Sequence, residues 1–289
     1  MRSADALGKY LRIKLQATFD ICGTISINEI RNSDGIKGRI LSDPLFKVNL
    51  VNSNSFKVCA LPTDISESII RDYYFGYIRA KKQWNSVQLL VKSGKYAAWS
   101  LVTAYYAAYF SAIEALRICG HIPLTLSGKE KIPILNLPAD KNNFSGVIGY
   151  DLSEIGFMTS GGKSHQVIWN SLQKNVLSKL PIKVCVLPEM IAFKGICSSN
   201  KSWELPSSIR NRWNYRDAIY FDSYGENLSS EFIKIIKDKD AASDWIIQNT
   251  KLKSESDSIN SIAALANLLF WAIDDSYQHC FINNVEKRI

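Results

Sequence analysis

Two hydrophobic periods divide the chain. From Leu11 to Ile21, apolar Leu11, Ile13, Leu15, Ala17, Phe19 and Ile21 alternate with polar Arg12, Lys14, Gln16, Thr18 and Asp20. Period two predicts a long strand with one wet face. Phe46, Val48 and Leu50 repeat the alternation, as do Phe56, Val58 and Ala60, with Asp34-Gly35 and Asn52-Ser53-Asn54 as turn signals between the runs. These segments predict a small antiparallel β unit over residues 1–62, closed by Leu61-Pro62.

The period then becomes helical. Ile69, Tyr73, Tyr77, Ala80, Trp84, Val87 and Val91 recur at steps of four and three, behind Thr63 or Asp64 as helix cap. A second helix is expected from about Tyr96 to Ile118, stopped by Gly120. Its apolar face is Trp99, Val102, Tyr105, Tyr106, Tyr109, Ile113 and Leu116, and its alanines allow close helix approach. Residues 121–160 return to short β-like pieces, Ile132 to Leu135 and Val147 to Tyr150, which reads as an insertion. Further helices are expected over Ser164–Leu180, Phe232–Asn249 and Ser256–Phe281. The prediction is therefore an α+β protein, with a helical domain over 63–289 following the β unit.

Composition narrows the classes. The chain has 289 residues, 46% of them apolar, and only 15 Gly and 8 Pro, which excludes collagen-like and disordered chains. The net charge of +8 favours polyanionic partners. No two of the six cysteines lie closer than 12 residues and the three histidines are scattered, so no metal site and no cofactor are expected. The first residues carry no apolar signal segment. Tyr96 to Ile113 is uncharged for 18 residues but is rich in Tyr, Ser, Thr and Ala, a buried helix and not a membrane span. A cytoplasmic protein with reduced thiols is expected. Gly161-Gly162-Lys163-Ser164 lacks the glycine spacing of a phosphate loop and reads as a capped helix start.

The chemistry concentrates in one segment. Arg210-Asn211-Arg212-Trp213-Asn214-Tyr215-Arg216 packs three arginines, two amides and two aromatic rings together. Arg forks match phosphate oxygens, amides orient a phosphate, and aromatic rings stack on bases. Charged groups satisfying backbone carbonyls at a helix–loop junction are the competing reading.

The helix Ala98-Trp99-Ser100-Leu101-Val102-Thr103-Ala104-Tyr105-Tyr106-Ala107-Ala108-Tyr109-Phe110, ending at Leu116-Arg117-Ile118-Cys119-Gly120, resembles the second helix of HEPN-type proteins. These are helical-bundle domains frequent in toxin–antitoxin and antiviral systems. Arg210-Asn211 resembles the start of their Arg…His motif, whereas Tyr215 stands where the histidine would close its shortest spacing. The resemblance covers about a third of the chain. It implies a HEPN-like bundle core, a homodimer, and a metal-independent endoribonuclease in which the RNA 2′-OH attacks the adjacent phosphate. Arg210 would then stabilise the phosphorane, Asn211 position the phosphate, and Tyr215 stand for the acid/base. Arg212, Trp213, Asn214 and Arg216 would bind RNA. His165 is an auxiliary candidate for the missing group, and Glu114 is expected to pair with an arginine of the motif. The alternative is a HEPN-like module without activity that binds nucleic acid or nucleotide, or holds a partner protein of a defence or toxin system. A helical scaffold with no nucleic-acid role is a third reading.

Overall fold

A computed structural model describes residues 2–52, 55–93, 97–124, 126–136, 164–198, 202–216, 221–222, 230–249 and 253–286. The expected pieces at Val147–Tyr150 and Gly161–Lys163, and the tip of the turn at 53–54, lie outside these residues.

The first element corrects the sequence reading. Residues Ser3–Cys22 are a helix, α1, and not a strand. Leu7, Leu11, Leu15 and Phe19 are buried at steps of four, while Ile13 is 59% exposed and Ile21 48%. An alternating run contains every second, hence every fourth, position, so it holds a helical stripe inside it. Burial against the helices that follow selects that stripe. Short elements come next: β1 (Ile25–Ser26), α2 (Ile27–Asn32) and α3 (Ile36–Ser42). Ser26 and Glu29 cap α2 reciprocally, each side chain bonding the other's backbone N–H.

The hairpin forms as the alternation predicts. Strands β2 (Lys47–Asn52) and β3 (Ser55–Cys59) are antiparallel, with Val48 opposite Val58 and Leu50 opposite Phe56. Helix α4 (Pro62–Ser93) begins on Pro62, whose fixed φ and missing N–H suit a first helical turn. Its start is thus slightly earlier than a cap at Thr63 or Asp64 would give. Helix α5 (Ala97–Ile118) packs antiparallel to it as a long hairpin. Gly120 ends α5 at φ 76°, and the His121 N–H reaches back to the Leu116 carbonyl at 2.9 Å.

Within the described part of the insertion, the one regular element is a helix. Ser127 and Glu130 form a capping box that starts α6 (Gly128–Leu135), so Ile132–Leu135 is not a strand. There follow α7 (Ser164–Asn175), a 3-10 turn (Leu177–Lys179), α8 (Ile182–Cys185), α9 (Pro188–Ser198), α10 (Pro206–Asn211) and a π-helical turn (Arg212–Arg216). Helices α11 (Ser230–Lys237) and α12 (Lys239–Gln248) divide the segment expected as one helix. Helix α13 (Glu255–Asn284) runs to β4 (Val285–Glu286), which pairs in parallel with β1.

Helix α13 is the axis of the molecule. From Ser258 to Phe270 every residue is buried, and α1, α5, α11 and α12 pack around it. Alanines on both α5 and α13 bring those two backbones close, and Trp84 of α4 stacks on Phe270 at 4.5 Å. Polar groups on α13 bond across to neighbouring helices: the Tyr73 hydroxyl donates to the Ile273 carbonyl at 2.9 Å, and the Asn267 amide donates to the Ile235 carbonyl at 2.6 Å, while Asn267 Oδ1 has no partner among the described residues. A second, smaller core joins Ile36, Phe46, Val58, Ile69, Ile122 and Ile134. The hairpin and the start of the insertion therefore share one hydrophobic cluster, whereas α1 belongs to the main core. The overall architecture is helix-rich α+β with a small antiparallel sheet. The six cysteines are free thiols.

Candidate nucleic-acid site

Three elements bring the candidate residues together. Helix α10 is too short to stand alone. Pro206 opens it and Ile209 anchors it in the core, which directs Arg210 at the face of α5. The chain then widens into the π turn, a local form frequent at functional sites. Helix α7 lies on the same face of α5 and offers His165 and Trp169 one turn apart.

Arg210 sits at the centre. Only 6% of it is exposed, and its guanidinium carbon lies 5.2 Å from the Tyr105 ring, 5.4 Å from Tyr106 and 5.7 Å from Tyr215. Among the described residues no carboxylate salt-bridges it, and its Nε has no hydrogen-bond partner. A buried guanidinium set among ring faces and beside the Tyr105 oxygen, with no carboxylate to neutralise it, keeps charge and the Nε donor for an incoming anion.

Tyr105 links Arg210 to His165. The Tyr105 hydroxyl and His165 Nδ1 share a hydrogen bond of 2.7 Å. Burial raises the Tyr105 phenol well above its ordinary range, against the opposing pull of Trp169 and Arg210, so the hydroxyl keeps its proton. His165 is shifted the other way: burial first, and the positive charge of Arg210 second, lower its pKa. Its ring also lies 4.3 Å from that of Tyr109. The imidazole is thus held neutral and oriented at neutral pH, with Nδ1 engaged and Nε2 the nitrogen left for a substrate.

The other candidates divide. Asn211 and Asn214 are half-buried beside Arg210 on the helix end and the π turn, and Tyr215 is 71% exposed with its ring against Arg210. Trp213 is fully buried, which corrects its assignment as a base-stacking residue: the indole faces the core because the wide π turn sends positions 213 and 215 to opposite sides. Arg212 is committed to Glu204 at 3.0 Å. Arg216 closes the π turn. Glu114 also departs from expectation. It is fully buried and pairs with Arg117 and, at 3.6 Å, with Arg79, not with an arginine of the 210–216 segment. Burial raises its carboxyl, and the two guanidinium groups hold it back. Its carboxylate packs against the backbone of Gly76, where a methyl group would collide with it, so Glu114 is a bracket between α4 and α5.

Sequence reasoning missed Tyr105 and Tyr106 as site residues. Their signal was the adjacent aromatic pair 105/106, read only as core. Among the described residues no group of three or more His, Cys, Asp or Glu side chains is placed to hold a metal. No described helix is long and apolar enough to cross a membrane. No family model matches the chain, and neither a curated protein nor a solved structure is significantly similar to it.

Proposed function

We propose that this protein is an RNA-directed endoribonuclease working without a metal, with Arg210 as its phosphate-binding group and His165 as its proton-transfer group. The observation that carries the reading is the buried, carboxylate-free Arg210 joined through Tyr105 to a neutral His165. In this reading the imidazole tautomer that donates from Nδ1 to the Tyr105 oxygen has a bare Nε2. That nitrogen takes the proton of the RNA 2′-OH as its oxygen bonds to the adjacent phosphorus. The bond from phosphorus to the 5′-oxygen breaks, the leaving oxygen takes a proton from water, His165 returns its proton to the hydroxide so formed, and a cyclic phosphate end remains. Arg210 stabilises the charge gathered on the phosphorane oxygens. Asn211 orients the phosphate, and Tyr215 covers Arg210 from outside instead of serving as the base. A homodimer and a defence or toxin setting with a partner protein belong to the same reading, through the HEPN resemblance.

Total RNA incubated in EDTA tests it. Cleavage leaving cyclic phosphate ends is expected, with losses of roughly 100-fold or more in His165→Gln and Arg210→Lys. The lysine variant keeps the charge but loses the fork, and thermal melts check that both variants fold. Intact RNA, or cleavage indifferent to both substitutions, overturns the reading. A second reading, a module that binds RNA without cutting it, is favoured by one feature: Arg210 braces rings from both α5 and the π turn, a packing role that needs no chemistry. It expects intact RNA bound with steep salt dependence.

A further inference from the structure

The aromatic residues of α5 continue past Arg210 in one direction. Tyr106 and Phe110, one turn apart and both half-buried, have near-parallel rings with centroids 6.0 Å apart and planes at 29°. Arg210 lies over the Tyr106 ring at 5.4 Å, and Arg79 of α4 lies over the Phe110 ring at 4.3 Å. The four side chains make a series of cation, ring, ring, cation that runs from the buried Arg210 through the half-buried rings to the half-exposed Arg79. Arg79 is half-exposed, and Glu114, the acid it approaches at 3.6 Å, is fully buried and already neutralised by Arg117. The positive charge at that end of the series therefore faces solvent. Trp99, 50% exposed and seven residues before Tyr106, lies on the same helical face and meets Phe221 edge-on.

We propose that this series is a track for single-stranded RNA, with unpaired bases lying against Tyr106 and Phe110 and backbone phosphates at Arg210 and Arg79. The ligand class rests on the RNA reading above, but the track needs no cleavage. Base-paired RNA hides its base faces in its own stack, whereas a single strand presents them to aromatic rings. Two guanidinium groups bracketing two rings match the alternation of charge and π-face along such a strand. The arrangement selects loops and unpaired stretches over duplex, and it directs a bound strand to Arg210.

A short 2′-O-methyl oligouridine, which has no 2′-OH to attack its own phosphates, separates binding from cutting. In fluorescence anisotropy it is expected to bind the wild type, and to bind about tenfold more weakly to Phe110→Leu, which keeps the apolar bulk and removes the π-face. Arg79→Gln, with Arg117 still on Glu114, is expected to flatten the slope of log affinity against log salt by about 0.7. The same strand annealed to its complement should bind distinctly more weakly. Unchanged affinity in Phe110→Leu, or duplex bound as tightly as single strand, overturns the track. Cleavage of unmodified RNA by the wild type, in parallel, reports on the nuclease reading alone. A silent nuclease with intact discrimination leaves the track standing, and an active nuclease without discrimination removes only the track.

Discussion

His165 owes its lowered pKa first to burial and then to the charge on Arg210. Its imidazole should titrate by NMR with a midpoint below the ordinary value near 6.5. Arg210→Gln should move that midpoint part of the way back up, because removing the cation relieves the repulsion while burial remains. The linkage follows in sign. The unfolded imidazole binds its proton more readily than the folded one, so stability rises with pH between the folded pKa and about 6.5 and is level above it. A midpoint at or above the ordinary value, or one indifferent to Arg210, contradicts the geometry. If His165 is the base, as proposed, Tyr215→Phe should leave cleavage nearly unchanged, since the exposed ring meets Arg210 as a face. A loss of 100-fold would restore the hydroxyl of Tyr215 as the acid/base group.

Helix α1 gives the sharpest test among the elements. A strand would bury Leu11, Ile13 and Leu15 alike; the helix buries the first and third and exposes the second. Leu11→Ala or Leu15→Ala should each cost about 2–5 kcal/mol in urea denaturation, and Ile13→Ala within about 0.5 kcal/mol. Equal costs at all three positions would favour the strand. The crossing of α4 and α5 is tested at Gly76. Its missing side chain lets the Glu114 carboxylate pack against the α4 backbone, where it reaches Arg79 and Arg117. Gly76→Ala puts a methyl group into that carboxylate. The gain in helix propensity, about 1 kcal/mol, is smaller than the cost of displacing a buried paired charge, so a net loss of about 1–3 kcal/mol is expected. A stabilised Gly76→Ala would show that Glu114 has room to move.

At the scale of the whole molecule the two cores differ in size. The smaller, built from α3, the hairpin, the start of α4 and the segment through α6, rests on a dozen buried apolar residues, whereas the main core runs the length of α1, α4, α5 and α13. Local opening follows the density of buried contacts. Amide hydrogen exchange should therefore release β2 and β3 well before α5 and α13. Equal protection would make the molecule a single cooperative unit.

Elements with local signals can be read along the chain. The stripe from Ile69 to Val91 defines α4, Gly120 ends α5, and the paired alternations through Val48 and Val58 specify the hairpin, whose register the structure supplies. The Ser-x-x-Glu spacings of the capping boxes at Ser26 and Ser127 are local too, but the expected β unit over 1–62 and the β-like composition around Ile132 concealed both. Arg210 was legible as a candidate because its neighbours in the chain crowd the same chemistry around it. Long-range packing settles the other features. Alternation in α1 is compatible with both periods, and burial against α13 selects one. Trp213 and Tyr215 look interchangeable as aromatic residues until the π turn sends one inward and the other outward. His165 lies 45 residues before Arg210, and the two meet only because α7 and α10 pack on the same face of α5, with Tyr105 between them. Periodicity is a property of neighbouring residues and can be read along the chain. A buried charge without a counterion arises from packing among residues far apart in sequence, and no local pattern contains it.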